Sequence, residues 1–84
     1  IRLPCPPEAA DRIVAEISAA FADRPVSLLD GVRVDFGDGW ALARRSVTED
    51  LLTLRFEAHS EARLRQIQAL IRRRAPALAS IWNG

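Results

Sequence analysis

Methionine, lysine and tyrosine are absent from this 84-residue chain, and cysteine and histidine occur once each. A single cysteine, Cys5, excludes an intrachain disulfide and a cysteine-based metal site, and it points to a reducing, cytoplasmic compartment. A lone cysteine among apolar neighbours is expected to be an inert core residue. No apolar run approaches the ~20 residues needed to cross a bilayer, so no membrane partner is expected. The start, Ile1-Arg2-Leu3-Pro4, lacks the basic region and long apolar stretch of a signal peptide. It also lacks an initiating methionine, so the sequence is expected to be a piece of a longer polypeptide. Four glycines and five prolines are too few for collagen or a low-complexity chain.

What is present is ordinary for a globular protein: 49% hydrophobic and 27% charged residues. The length makes residues 1–84 one domain, too small to enclose a deep active site. Twelve basic residues against eleven acidic ones leave a net charge of +1. Nucleic-acid-binding domains carry a clear positive excess, so no nucleic-acid partner is expected. Every basic residue is arginine, whose planar guanidinium suits phosphate.

Along the chain, Ile1 to Cys5 reads as a short strand stopped by Pro6-Pro7. Between Glu8 and Ala22 the apolar residues Ala10, Ile13, Val14, Ile17, Ala20 and Phe21 recur at helical spacing. Val26 to Leu29 is short and apolar, and Asp30-Gly31 marks a turn. Val32, Val34 and Phe36 alternate with Arg33 and Asp35, the period of a half-buried strand. Gly37-Asp38-Gly39 signals a hairpin, with a return strand from Trp40 to about Ala43. Arg44 to Asp50 follows as a polar loop. Leu52, Leu54 and Phe56 alternate in a last strand. Ser60 is a suitable N-cap for a second helix that runs to about Arg74, with Leu64, Ile67, Leu70 and Ile71 on its apolar face. Pro76 stops it, leaving a tail that contains Trp82.

The order is β-α-β-β-β-α. The simplest packing is α+β: an antiparallel sheet of about four strands with both helices on one face. Val32, Val34, Phe36, Leu52, Leu54 and Phe56 should then share that face with Ile13, Ile17, Leu64, Ile67 and Ile71.

The chemistry concentrates in Arg44-Arg45-Ser46-Val47-Thr48. Two guanidiniums and two hydroxyls fall within five residues. A guanidinium fork matches two phosphate oxygens, hydroxyls donate further hydrogen bonds, and a tight loop can turn backbone N–H groups toward an anion. The same residue types also occur in surface loops whose hydroxyls merely cap local backbone. His59 could be read as a general base, but with no evident partner it reads as a surface histidine. Trp40 could stack on a sugar, although a strand tryptophan is more often core. Arg55 reads as a solvated strand residue paired with Glu57 or Asp50.

The stretch Asp30-Gly31-Val32-Arg33-Val34-Asp35-Phe36-Gly37-Asp38-Gly39-Trp40 resembles the lead-in of the last domain of the α-D-phosphohexomutases. The likeness continues through Arg44-Arg45-Ser46-Val47-Thr48-Glu49-Asp50, Leu51 to Ala58 and Ser60-Glu61 into the second helix. The family's loop runs Arg-Pro-Ser-Asn-Thr-Glu-Pro, or close to it. Arg44, Ser46 and Thr48 match it. Arg45 replaces a proline or small residue, Val47 an asparagine and Asp50 the second proline. Arg55 also fits an arginine seen in some members.

The resemblance implies a TATA-binding-protein-like fold without DNA binding. It also implies that residues 44–48 hold the non-reacting phosphate of a phosphosugar as hexose 1-phosphate and hexose 6-phosphate interconvert. The catalytic phosphoserine, the Asp-rich metal loop and the sugar-recognition loop lie in the family's other domains. The expected partners are therefore the phosphosugar and those domains. No cofactor is expected in this domain, and Mg2+ is implied for the parent enzyme. Readings from other classes are a double-stranded-RNA-binding module, suggested by the basic end Arg72-Arg73-Arg74, and a structural or oligomerisation domain. A helix that starts Ser60-Glu61 places an anion where an RNA-binding helix wants cations. No nucleophile–base pair is present, so the isolated chain is expected to turn over no hexose 1-phosphate above a buffer blank in a coupled assay.

Overall fold

In the computed structural model, residues 1–23, 26–27 (backbone only), 31–46 and 48–82 are described. The elements run β1 (Arg2–Pro4), α1 (Pro7–Ala20), β2 (Val26–Ser27), β3 (Val32–Asp35), β4 (Gly39–Arg45), β5 (Leu51–Ala58), α2 (Glu61–Arg74) and α3 (Pro76–Ala79). The strands form one antiparallel sheet in the order β1-β5-β4-β3-β2. This is the expected α+β architecture. The two-residue β2 adds a fifth ribbon, and Leu28, Leu29 and the Asp30 of the expected turn lie outside the described residues.

Local chemistry accounts for the element boundaries. Pro7 occupies the first turn of α1, where its missing N–H costs nothing. The helix ends at Ala20, two residues before the expected Ala22. Ser60 caps α2 by accepting a hydrogen bond from the Arg63 backbone N–H at 3.1 Å. At the hairpin, Gly37 takes φ +85°, a left-handed conformation that glycine adopts without strain, and its N–H donates to Asp35 Oδ1 at 2.8 Å. Pro76 ends α2 as expected, but it also opens the short α3, in which Leu78 is buried.

Both long helices cover one face of the sheet. Val32, Val34, Ala41, Ala43, Leu52 and Leu54 point into a single core with Ile13, Ile17, Ile67 and Ile71. Phe36 and Phe56 are half-buried and pack against that core from the same face. Leu64, expected in the core, is half-buried and lies outside the core cluster. Each fully buried large side chain contributes about 1.5–3 kcal/mol. No polar or charged residue is buried as a whole among the described residues, although Arg72 Nη1 is shielded from solvent without a hydrogen-bond partner. Trp82 packs back onto the domain: its ring stacks on Phe56 with centroids 5.4 Å apart, and the Arg72 guanidinium lies 4.8 Å from the Trp82 centroid.

β4 is the central strand, and both α1 and α2 contact it. Its inward side chains are only methyl groups, Ala41 and Ala43, which lets the helices approach closely. At Gly39 the approach is tighter still. A Cβ there would lie 2.5 Å from the Glu57 carbonyl oxygen and 2.8 Å from Ile67 Cδ1. Gly39→Ala is therefore expected to destabilise the domain by about 1–3 kcal/mol through overpacking. Gly37→Ala, with open space around it but positive φ, should cost about 1 kcal/mol. Urea unfolding of the two variants checks the order.

Candidate functional site

The return strand extends two residues further than its sequence suggests. Arg44 pairs with Thr53 and Arg45 with Leu52, so both arginines belong to β4 rather than to the loop. Ladder hydrogen bonds to β5 continue past Ala43 because β5 itself begins at Leu51 and offers partners there. Successive strand residues point to opposite faces, so the two guanidiniums are separated. Arg45 shares the helix-covered face with Leu52, and its Nη1 donates to Asp11 Oδ2 on α1 at 2.8 Å. Arg44 lies on the open face with Trp40 and Leu42.

The connection beyond Arg45 is closed by its own backbone. The Ser46 N–H donates to the Leu51 carbonyl at 2.9 Å, and the Leu51 N–H to the Glu49 carbonyl at 2.9 Å. Ser46 Oγ accepts from the Glu49 N–H at 3.3 Å, leaving the hydroxyl hydrogen able to donate outward. The Cys5 N–H ties the far end down by donating to the Asp50 carbonyl at 3.0 Å. Cys5 itself is buried, and burial, with the Asp50 carboxylate as a second cause, pushes its thiol up from the ordinary value. That is the signature of an unreactive core thiol. Thr48 is exposed at the tip. Val47 lies outside the described residues.

Beneath this loop, the open face of the sheet is rich in arginine. The register sets Arg2, Thr53 and Arg44 side by side on β1, β5 and β4, and Arg55, Leu42 and Arg33 side by side in the next row. Arg44 and Arg55 are diagonal neighbours on adjacent strands, about 7–8 Å apart at Cα. All four arginines are exposed. Arg33 stacks on Trp40, its guanidinium carbon 4.5 Å from the ring centroid. Arg2, Arg44 and Arg55 make no ion pair or side-chain hydrogen bond with the described residues.

The fold thus places Arg44 on the open face near the end of β4, with Arg55 its diagonal neighbour, Ser46 just past the strand end and Thr48 exposed in the loop that follows. It sends Arg45 to the other face. Trp40 is half-buried on the open face rather than in the core, because the inward positions of β4 are Ala41 and Ala43. Trp40 and His59 stand at the opposite end of the β4–β5 hairpin, where an open pocket is lined by Asp38, Trp40, Glu57 and His59. His59 is exposed, and its N–H donates to the Asp38 carbonyl at 3.2 Å. The residues that sequence reasoning passed over are Arg2 and Thr53. Only the pairing of β1 with β5 places them beside Arg44, and nothing in the local sequence of either signals it. No group of three or more His, Cys, Asp or Glu residues able to hold a metal occurs among the described residues. None of their helices is long and apolar enough to cross a membrane.

Comparison with known proteins gives a consistent result. Residues 1–74 match the family model described as "Phosphoglucomutase/phosphomannomutase, C-terminal domain". A phosphomannomutase/phosphoglucomutase of Pseudomonas syringae pv. tomato is 46% identical over 55 residues, covering 66% of this chain and 12% of that protein. The protein of the same name from Pseudomonas aeruginosa is 42% identical over 62 residues, covering 74% of this chain and 13% of the relative. A probable phosphoglucosamine mutase of Methanopyrus kandleri is 39% identical over 62 residues, covering 74% and 13%. The chain therefore spans about an eighth of the length of these relatives.

The Arg45–Asp11 pair is open to solvent, with side chains 42% and 62% exposed, so its contribution to stability is about 0–1 kcal/mol. Asp11→Asn is expected to lower stability by no more than that in low salt, and by less at 1 M salt, where the Debye length falls to about 3 Å. Urea unfolding at the two ionic strengths measures the difference.

Proposed function

Because this chain belongs to the phosphoglucomutase/phosphomannomutase C-terminal domain family, we propose that residues 44–48 bind the phosphate of a hexose phosphate. The chain would do so as the phosphate-gripping domain of an enzyme that interconverts hexose 1-phosphate and hexose 6-phosphate. The observation that carries this reading is Arg44: an exposed guanidinium with no ion-pair or hydrogen-bond partner among the described residues, on the open sheet face beside a loop whose Ser46 and Thr48 hydroxyls can donate. Arg44 supplies the charged fork, and Ser46 and Thr48 supply hydroxyl hydrogens. Val47 stands where the family's loop has a side-chain donor. Arg55 adds a second guanidinium from the neighbouring strand. Arg45, on the opposite face and paired with Asp11, makes no direct contact in this reading.

In this role the chain binds and orients the substrate. The phosphorylated nucleophile is expected elsewhere, and among the described residues no group of three or more His, Cys, Asp or Glu could hold the Mg2+ that the resemblance implies. Those parts, and the choice of sugar, belong to the remainder of a cytoplasmic parent enzyme, which is also the domain's partner. A last domain that closes over the substrate would complete the site and exclude water from it.

Two features weigh against the RNA-binding reading. Glu61 opens α2 and pairs with Arg65 at 3.0 Å. At the basic end of that helix, Arg72 stacks on Trp82 and Arg74 donates to the Ala20 carbonyl at 3.2 Å. Two of the three guanidiniums are thus engaged within the fold.

Charge-assisted hydrogen bonds contribute roughly 1.5–3 kcal/mol each in protected sites, but this loop is open to water, and association costs several kcal/mol. A dissociation constant of about 1 mM or weaker is expected, equivalent to roughly −4 kcal/mol at most. In an NMR titration, a hexose phosphate should shift amides of residues 44–48 and the unphosphorylated sugar should not. Arg44→Ala should abolish the shifts, and Val47→Asn should strengthen binding. Shifts centred on residues 72–74, or indifferent to Arg44→Ala, would overturn the assignment.

A further inference from the structure

Arg2 belongs to an edge strand distant in sequence from the loop, yet the ladder sets it two strands from Arg44. Thr53 lies between them, opposite Arg2 on one side and Arg44 on the other. Strands lie about 4.8 Å apart, so the two arginines stand about 10 Å apart across the open face. Arg55 is the diagonal neighbour of both, about 7–8 Å from each. Leu3 packs against the core, so the alternation of β1 turns Arg2 to the opposite, open face. In the ladder the three arginines are thus the neighbours of Thr53 on the open face, and no carboxylate stands at a register position between them. Four other arginines have carboxylate partners: Arg12 with Glu16, Arg45 with Asp11, Arg63 with Asp38 and Arg65 with Glu61; Arg33, Arg72 and Arg74 are engaged by Trp40, Trp82 and the Ala20 carbonyl. Like charges so placed repel one another and favour an anion at their centre.

We propose that Arg2 is a third anion-binding guanidinium and that, with Arg44 and Arg55, it holds a phosphate monoester dianion over Thr53. The proposal rests on the phosphate-binding reading of residues 44–48 and adds to it a residue from β1 and a preference for charge. A phosphate monoester carries about −1.5 to −2 charges near pH 7, which three guanidiniums match better than one or two do. The Thr53 hydroxyl faces the same oxygens.

The test is an NMR titration of the 84-residue chain with inorganic phosphate, following backbone amides and the arginine Nε–H signals. The Nε–H groups of Arg2, Arg44 and Arg55 and the Thr53 amide should shift together with residues 44–48. Arg2→Gln should weaken phosphate binding about three- to tenfold, and Arg2→Lys should weaken it less. Arg12→Gln, which removes a guanidinium on α1, should leave it unchanged. Dimethyl phosphate, a monoanion, should bind less tightly than phosphate, and Arg2→Gln should narrow that gap. If Arg2→Gln binds phosphate as the unmodified chain does, or the Arg2 Nε–H stays still while residues 44–48 respond, the Arg2 assignment falls and the loop reading stands. If residues 44–48 do not respond in the unmodified chain, the loop reading falls and takes this one with it. Should Arg2→Gln fail to fold, the Arg2 Nε–H signal of the unmodified chain decides.

Discussion

The two-residue period of β4 runs through the middle of the sheet, and the rest of the molecule is arranged around it. On one side, Ala41 and Ala43 leave room for two helices to lie close over the same strand. On the other, Trp40, Leu42 and Arg44 form the centre line of an open face. Because the strand keeps its ladder to Arg45, consecutive arginines are sent to opposite layers. One is held by Asp11 on α1, and the other is presented to solvent. A slip of one residue would bury Arg44 beneath the helices and expose both alanines, so core packing and site presentation are set by the same register.

The near-neutral net charge conceals an uneven distribution. Acidic partners sit chiefly with the helices and the hairpin tip, where they pair with Arg12, Arg45, Arg63 and Arg65. The open face carries Arg2, Arg33, Arg44 and Arg55, and its carboxylates, Asp35 and Glu57, flank Trp40 at the far end. Unpaired exposed guanidiniums contribute little to folding. Their clustering is what the proposed anion recognition draws on, since such recognition needs charge without a competing internal counter-ion.

The division between layers also fits a domain that works as part of something larger. All the burial lies between the helices and the inner face of the sheet, which leaves the outer face free of a folding role. Such a face can place charged groups on a rigid, hydrogen-bonded frame, which holds them better than a loop alone does. What it cannot do is exclude water. Exposed charges are screened, and tight binding requires another surface to close over them.

Much of the fold was legible in the sequence. The apolar spacings of Ile13 and Ile17, and of Ile67 and Ile71, marked the core-facing sides of both helices. Ser60 marked a cap, and the alternation from Val32 and from Leu52 marked two strands, because these signals depend on neighbours within a few residues. The Arg44 to Thr48 motif was legible for the same reason. The end of β4 was not, since whether Arg44 and Arg45 extend a strand depends on β5 reaching back to Leu51. The place of Trp40 was not either, since alanines on the alternate positions decide which face is core. Local sequence thus determined the elements, their apolar faces and the residues able to grip an anion. Only the tertiary structure decided that Arg44 and Arg45 part company, that Trp40 faces outward, and that Arg2 and Arg55 flank Arg44. Those relations are set by cross-strand register, and hydrogen bonds between residues more than fifty positions apart in the chain, such as those between Ile1 and Leu54 that bring Arg2 opposite Thr53, leave no trace in the sequence around either one.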